Sequence, residues 1–183
     1  NFLVAREKID NFSWDMVKGK NVLGGRKGGM PQMVLEYILK ANNIDPASDL
    51  SIDQSVDFGL TAGAFSGNTE YDFTVEFEPG ATSLEKEGKG YVVASLGVDS
   101  GYVPYTAYSA KKSYIEKNPE IIKDFTSAIQ KGLDYVNSHS SAEIAKVIAP
   151  QFEDTDIDTI TTIVERYKSQ DTWKKDTLSL IHI

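Results

Sequence analysis

The chain has 183 residues, 40% apolar and 25% charged, with 19 Lys and Arg against 27 Asp and Glu, a net charge of −8. That composition is ordinary for a globular protein of one large or two small domains, and the sign of the charge argues against nucleic acid and anionic membrane surfaces as partners. Cysteine is absent, which excludes disulfides, thiolate metal sites and cysteine nucleophiles, and no apolar run approaches the ~18 residues that span a bilayer.

Taken in order, Asn1 to Ala5 reads as a strand and Arg6 to Phe12 as a polar connection. Ser13 caps one helical turn that ends at Gly19. Val22 and Leu23 form a short strand that runs into the turn Gly24-Gly25-Arg26-Lys27-Gly28-Gly29. A helix follows, with Pro31 in its first turn, where a fixed φ fits and a missing N–H is not needed. Met30, Met33, Val34, Tyr37, Ile38 and Ala41 recur at spacings of three and four, which predicts the buried face of that helix. Further on, the pattern predicts strands at Leu50 to Ile52, Asp72 to Phe77 and Tyr91 to Ala94, and helices at Val56 to Phe65 and Ala81 to Glu87. Val103 to Tyr108 reads as a last extended strand, and four helices follow: Ala110 to Lys117, Pro119 to Asn137, one opened by a Ser140/Glu143 capping box, and Asp156 to Ser169. Ile121, Ile122, Phe125, Ile129, Leu133 and Val136 make one continuous apolar stripe, more than a lone helix needs.

Strand, glycine turn and helix in succession bring free backbone N–H groups together at the positive end of a helix dipole, beside the cations Arg26 and Lys27. That arrangement suits an anion or a polar small molecule. A tight βα connection with two solvated cations has the same pattern. A nucleotide is disfavoured: the turn matches neither G-x-x-x-x-G-K-[ST] nor G-x-G-x-x-G.

The stretches FSWDMVKGK from Phe12, GGRKGGMP from Gly24, FEPGATSLEKEGKG from Phe77 and VPYTAYSAKKSYIEKNPE from Val103 together resemble one family. It comprises the solute-binding proteins of bacterial ABC importers for nitrate, sulfonates, taurine and the thiamine pyrimidine precursor. The resemblance covers nearly all of Asn1 to Thr177. It implies a periplasmic-binding-protein-like α/β fold (type II), two lobes joined by crossover strands with the ligand between them. On that mapping, residues 13–101 are a complete second lobe, and 1–12 and 102–177 are crossover strands and closing helices of the first lobe. The chain opens on NFLVA without Met and closes on LSLIHI, which resembles a translated sequencing adapter. The expectation is a fragment lacking its N-terminal part, with 178–183 a non-native tail.

The resemblance implies capture of a solute by hinge closure and its delivery to a permease and ATPase, outside the cytoplasmic membrane, with any lipid anchor in the missing N-terminal part. No cofactor, metal or covalent chemistry is implied. The expected ligand-binding residues are Gly25, Arg26, Lys27, Gly28, Gly29 and Met30, with the amides of Gly28 to Met30 pointing into an open cleft. Phe77 and Glu78 join them at the carboxyl end of a strand, where open α/β sheets hold ligands. Glu78 is either a helix-start carboxylate or a group that selects an amine or aminopyrimidine. Tyr105 and Tyr108 fall on opposite faces of the extended strand, so one can stack on a ring while the other is core. His139 reads as solvated. The rival classes are a sensor domain on the same fold and a pyrimidine-synthesising enzyme, the latter disfavoured by the absence of cysteine.

Overall fold

A computed structural model describes residues 1–57, 59–103 and 107–175. The chain divides into two compact units, Asn1–Val103 and 104–183. The first is α/β. Its strands are β1 (Phe2–Ala5), β2 (Asn21–Leu23), β3 (Ser51–Asp53), β4 (Phe73–Glu76) and β5 (Tyr91–Ser95), and they form one sheet in the order β3-β2-β4-β1-β5. β2 runs parallel to β3 and β4, whereas β1 is antiparallel to both of its neighbours.

All four residues of β1 are buried, as expected of a strand with neighbours on both sides and cover on both faces. Assigned from sequence to a crossover, β1 is a central strand of this sheet, so the compact unit takes in residues 1–12 as well. β5 lies at the sheet edge, and Tyr91 is exposed there rather than buried. The register between β1 and β5 slips after Leu3, with Leu3 opposite Ala94 and Val4 opposite Val92.

Helix α1 (Met30–Ala41) covers one face of the sheet. It buries Val34, Leu35, Ile38 and Leu39 among Leu3, Ala5, Val22, Phe73 and Val75. The buried stripe is turned relative to the one predicted: Met33 is 59% and Tyr37 56% exposed. Both periodicities are present in the sequence, and contact with the sheet selects the one carrying two leucines. On the same face Trp14, in a 3-10 turn (Trp14–Val17), donates from Nε1 to Asp99 Oδ2 at 2.9 Å in the short helix α4 (Leu96–Asp99).

Helices α2 (Thr61–Gly67) and α3 (Gly80–Lys86) pack on each other and against β4 and β5 respectively. The helix expected from Val56 begins only at Thr61, because the chain first turns through Asp57 and Leu60 and through Gly59 at a φ of +86°. Arg6, just past β1, anchors the other end of α2. Its guanidinium lies 3.8 Å from the Phe65 ring centroid and donates to the carbonyls of Phe65, Asn68 and Tyr71 at 2.8 to 3.1 Å.

The α-helices among the described residues of the second unit are α5 (Lys112–Lys117), α6 (Pro119–Ser138), α7 (Ser141–Ile148) and α8 (Ile157–Ser169). Ser140 and Glu143 form the expected capping box. The Val103 to Tyr108 strand is not observed at Val103, Ala107 or Tyr108, and residues 104–106 of it lie outside the described residues. α7 and α8 meet around Ile144, Ala145, Ile160 and Val164, with Tyr135 and Val136 of α6 packed alongside. Lys168 of α8 donates to the carbonyls of Val136 and His139 and so closes the C-terminal end of α6. No residue of α6 is fully buried, and Ile121 and Phe125 are 53% and 44% exposed.

Arg6→Ala removes charge-assisted hydrogen bonds and the stacking over Phe65 together. It is expected to lower unfolding free energy by about 1.5–3 kcal/mol in chemical denaturation, with a smaller loss for Arg6→Lys, which keeps a cation but not the planar fork.

Candidate functional site

The parallel strands β2, β3 and β4 end together, and register places Gly24-Gly25, Asp53 and Glu76-Phe77-Glu78 along one carboxyl edge of the sheet. The start of β1 and the end of β5 lie at that edge too. Phe2 stands opposite Glu76 and Ser95, and Leu96 N–H donates to the Asn1 carbonyl at 3.0 Å.

The glycine turn is built by close packing. A Cβ on Gly24 would lie 2.3 Å from Ile52 Cγ2, so only glycine lets β2 leave the sheet beside β3, and Gly24 N–H continues the pairing to the Asp53 carbonyl at 2.8 Å. Gly25 and Gly28 both adopt φ of +77°, the left-handed region that glycine alone enters without strain. Arg26, Lys27 and Gly28 are exposed, Gly25 is buried, and Met30 packs partly against the core.

The donors of the turn differ from those expected. Gly28 N–H donates to Gln32 Oε1, and Gly29 N–H to the Arg26 carbonyl at 3.1 Å. Gln32 in turn donates to Glu36 Oε1 at 2.6 Å. Gly29 caps α1, and its carbonyl takes the first helical bond, from Met33. Helix geometry leaves the N–H groups of Met30 and Gln32 without an intrahelical carbonyl, while Pro31 has no N–H. Beside these two amides stand the exposed cations Arg26 and Lys27.

Phe77 is half-buried and its carbonyl accepts from Ala81 N–H at 2.9 Å. The Glu78 carboxylate accepts from Thr82 N–H and Thr82 Oγ1, each at 3.0 Å, so it ties down the first turn of α3. Tyr105 lies outside the described residues. Tyr108 belongs to the second unit, is exposed, and meets Phe125 edge-on at 4.9 Å.

Two polar clusters at the edge escaped the sequence reading. At the end of β3, Asp53 accepts from the Tyr71 hydroxyl and from Ser55 N–H and Oγ at 2.8 and 2.7 Å, and the Tyr71 bond is the main reason its pKa falls below the ordinary value. At the end of β4, Glu76 is buried between Thr61 and Thr74. A signal for it existed: Thr74 and Glu76 alternate onto one face of a strand otherwise apolar enough to be central.

A sheet whose parallel strands end at a glycine turn, with one antiparallel strand among them, is the α/β architecture expected of a periplasmic-binding-protein-like fold. Residues 13–149 match the NMT1-like family, and the chain belongs to that family. It is 48% identical over 177 residues to YtlA of Bacillus subtilis (strain 168), which carries the provisional name of a binding protein; the match takes in 97% of this chain and 53% of YtlA. The fold is similar to the periplasmic aliphatic sulphonate binding protein SsuA from Escherichia coli, with a TM-score of 0.70 at 17% identity, over 90% of this chain and 54% of that one. It is also similar to the alkanesulfonate-binding protein SsuA from Xanthomonas axonopodis pv. citri bound to MOPS, with a TM-score of 0.65 at 12% identity, over 95% of this chain and 65% of that one. The chain spans about half the length of the curated relative it matches. The relatives named in these comparisons are binding proteins.

Gly24→Ala forces a methyl group into the branched end of Ile52, which cannot swing away. A loss of about 1–3 kcal/mol in unfolding free energy is expected, and Gly24→Ala combined with Ile52→Ala should recover part of it by removing the obstructing methyl group.

Proposed function

We propose that the chain is part of the extracytoplasmic solute-binding component of an ABC importer. The solute is a small molecule, of the sulfonate, nitrate-like anion or aminopyrimidine kind, captured between two lobes and delivered to a permease with its ATPase. The observation that supports this reading best is the glycine turn at the carboxyl edge of the sheet, in a lobe with the fold of the SsuA proteins. In this reading the lobe contributes one wall of the cleft, and residues 102–177 contribute helices of the other lobe.

In this reading the chain crosses between lobes near the edge that carries the turn, where Leu96 N–H donates to the Asn1 carbonyl. A hinge at that edge swings the wall directly over its ligand, and the ligand favours closure because it touches both lobes only in the closed form. Gly25, Gly28 and Gly29 let the backbone approach, the Met30 amide heads the helix, and Arg26 and Lys27 supply charge. Glu78 engages Thr82, which supports an anion over an amine as the group held at this wall. The net negative charge of the chain is consistent with nucleic acid not being a partner.

Calorimetry of the complete gene product against ethanesulfonate, MOPS, nitrate and 4-aminopyrimidine tests the reading. A sulfonate or nitrate is expected to bind in the micromolar range. Binding of 4-aminopyrimidine alone would reassign the wall to an amine through Glu78, and no heat from any of them would overturn this choice of solutes. Gly28→Val strains a φ of +77° and shifts the Gly28–Gln32 bond. It should weaken binding of the best ligand by at least ~1 kcal/mol, about fivefold.

A further inference from the structure

Glu76 is 3% exposed, on the face of β4 turned toward α2 and α3. Its Oε1 accepts from Thr74 Oγ1 at 2.7 Å and its Oε2 from Thr61 Oγ1 at 3.0 Å. Thr61 is the first residue of α2. Gly80 is the first residue of α3, and a Cβ there would lie 3.1 Å from Oε2 and 3.4 Å from Ala62, so only a glycine lets α3 start this close. One carboxyl group is therefore hydrogen-bonded to the start of α2 and lies against the start of α3 at the end of a central strand, at the sheet edge that carries the glycine turn.

The groups that face it are uncharged. α2 presents Thr61 and Ala62, α3 presents Gly80, β4 presents Thr74, and Phe2 of β1 stands opposite in register. Glu78 engages Thr82, and the amino group of Asn1 senses Glu78. Among the described residues no cation is paired with Glu76.

We propose that Glu76 is a proton-dependent clamp on the cleft edge: neutral, it holds the starts of α2 and α3 against the end of β4, and ionised, it loosens them. A neutral carboxyl can donate its proton to one threonine oxygen while accepting from the other hydroxyl. An ionised one leaves a buried charge with two neutral donors only, and such a charge is relieved by admitting water. Burial pushes the pKa up to about 7, against the two hydroxyl bonds that pull it down. The sign follows from proton binding. Between the ordinary glutamate pKa and about 7 the folded state holds a proton that the unfolded state has lost, so this group's contribution to stability declines with rising pH over that interval and is level above it.

The clamp needs no ligand, so its test is independent of the proposed solute. Hydrogen exchange of residues 61–67 and 80–86, corrected for intrinsic rates, is followed from pH 5 to 8 in the 183-residue chain and in Glu76→Gln. Exchange is expected to accelerate severalfold with pH in the wild type and to stay level in the variant, while the melting temperature of the wild type falls relative to the variant mainly below pH 7. Parallel pH dependence in the two proteins would overturn the proposal. Should Glu76→Gln fail to fold, carbon NMR of the Glu76 carboxyl in the wild type decides. A midpoint near 7, raised further by Thr61→Val, supports the clamp, and an ordinary glutamate midpoint refutes it.

Discussion

The first unit depends on the insertion of β1, antiparallel, between β4 and β5. Without it the parallel strands β3, β2 and β4 would end in an open edge and β5 would have nothing to pair with. Its four residues are all buried, and burying a Phe, Leu or Val side chain contributes roughly 1.5–3 kcal/mol each. The strand also carries the anchors at its two ends. Phe2 stands opposite Glu76 at the carboxyl edge of the parallel strands, and Arg6 follows Ala5 at the opposite edge. A chain segment that fills the centre of a sheet thus ties both ends of that sheet to the same few buried residues.

Helix α2 shows what that coupling does locally. At seven residues, with Gly63 and Gly67 inside it, it is far too short to persist by itself. It is held from both ends, by Arg6 at the carbonyls of Phe65 and Asn68 and by Glu76 at Thr61. The two contacts are opposite in kind. Arg6 brings a permanent charge to carbonyl oxygens on a partly exposed surface, whereas Glu76 brings a titratable group into a dry one.

The carboxyl edge concentrates the features that do not serve compactness. Gly24 is required by packing against Ile52, but Gly25 and Gly28 adopt a conformation that only a turn of this kind needs, and Arg26 and Lys27 project from it. Around the turn, polar side chains saturate one another: Gln32 with Gly28 and Glu36, Asp53 with Tyr71 and Ser55, Glu78 with Thr82. An edge so pre-arranged has few side chains left to order.

The sequence by itself determined the α/β class of the first unit, the βα turn and its glycines, the Ser140–Glu143 capping box and the helical second unit. These rest on local causes: propensity, φ restrictions and side-chain bonds within three or four residues. Four matters were decided only by tertiary structure. β1 became a central antiparallel strand because pairing partners seventy and ninety residues away are invisible to local pattern. α1 settled on Leu35 and Leu39 rather than Met33 and Tyr37 because two overlapping apolar stripes differ only in what the sheet presents to them. The Gly28 amide went to Gln32, a competition between donor partners that depends on a rotamer and not on spacing. Glu76 came to matter because burial, which no single residue announces, turned an ordinary carboxylate in an alternating strand into a group poised near neutrality.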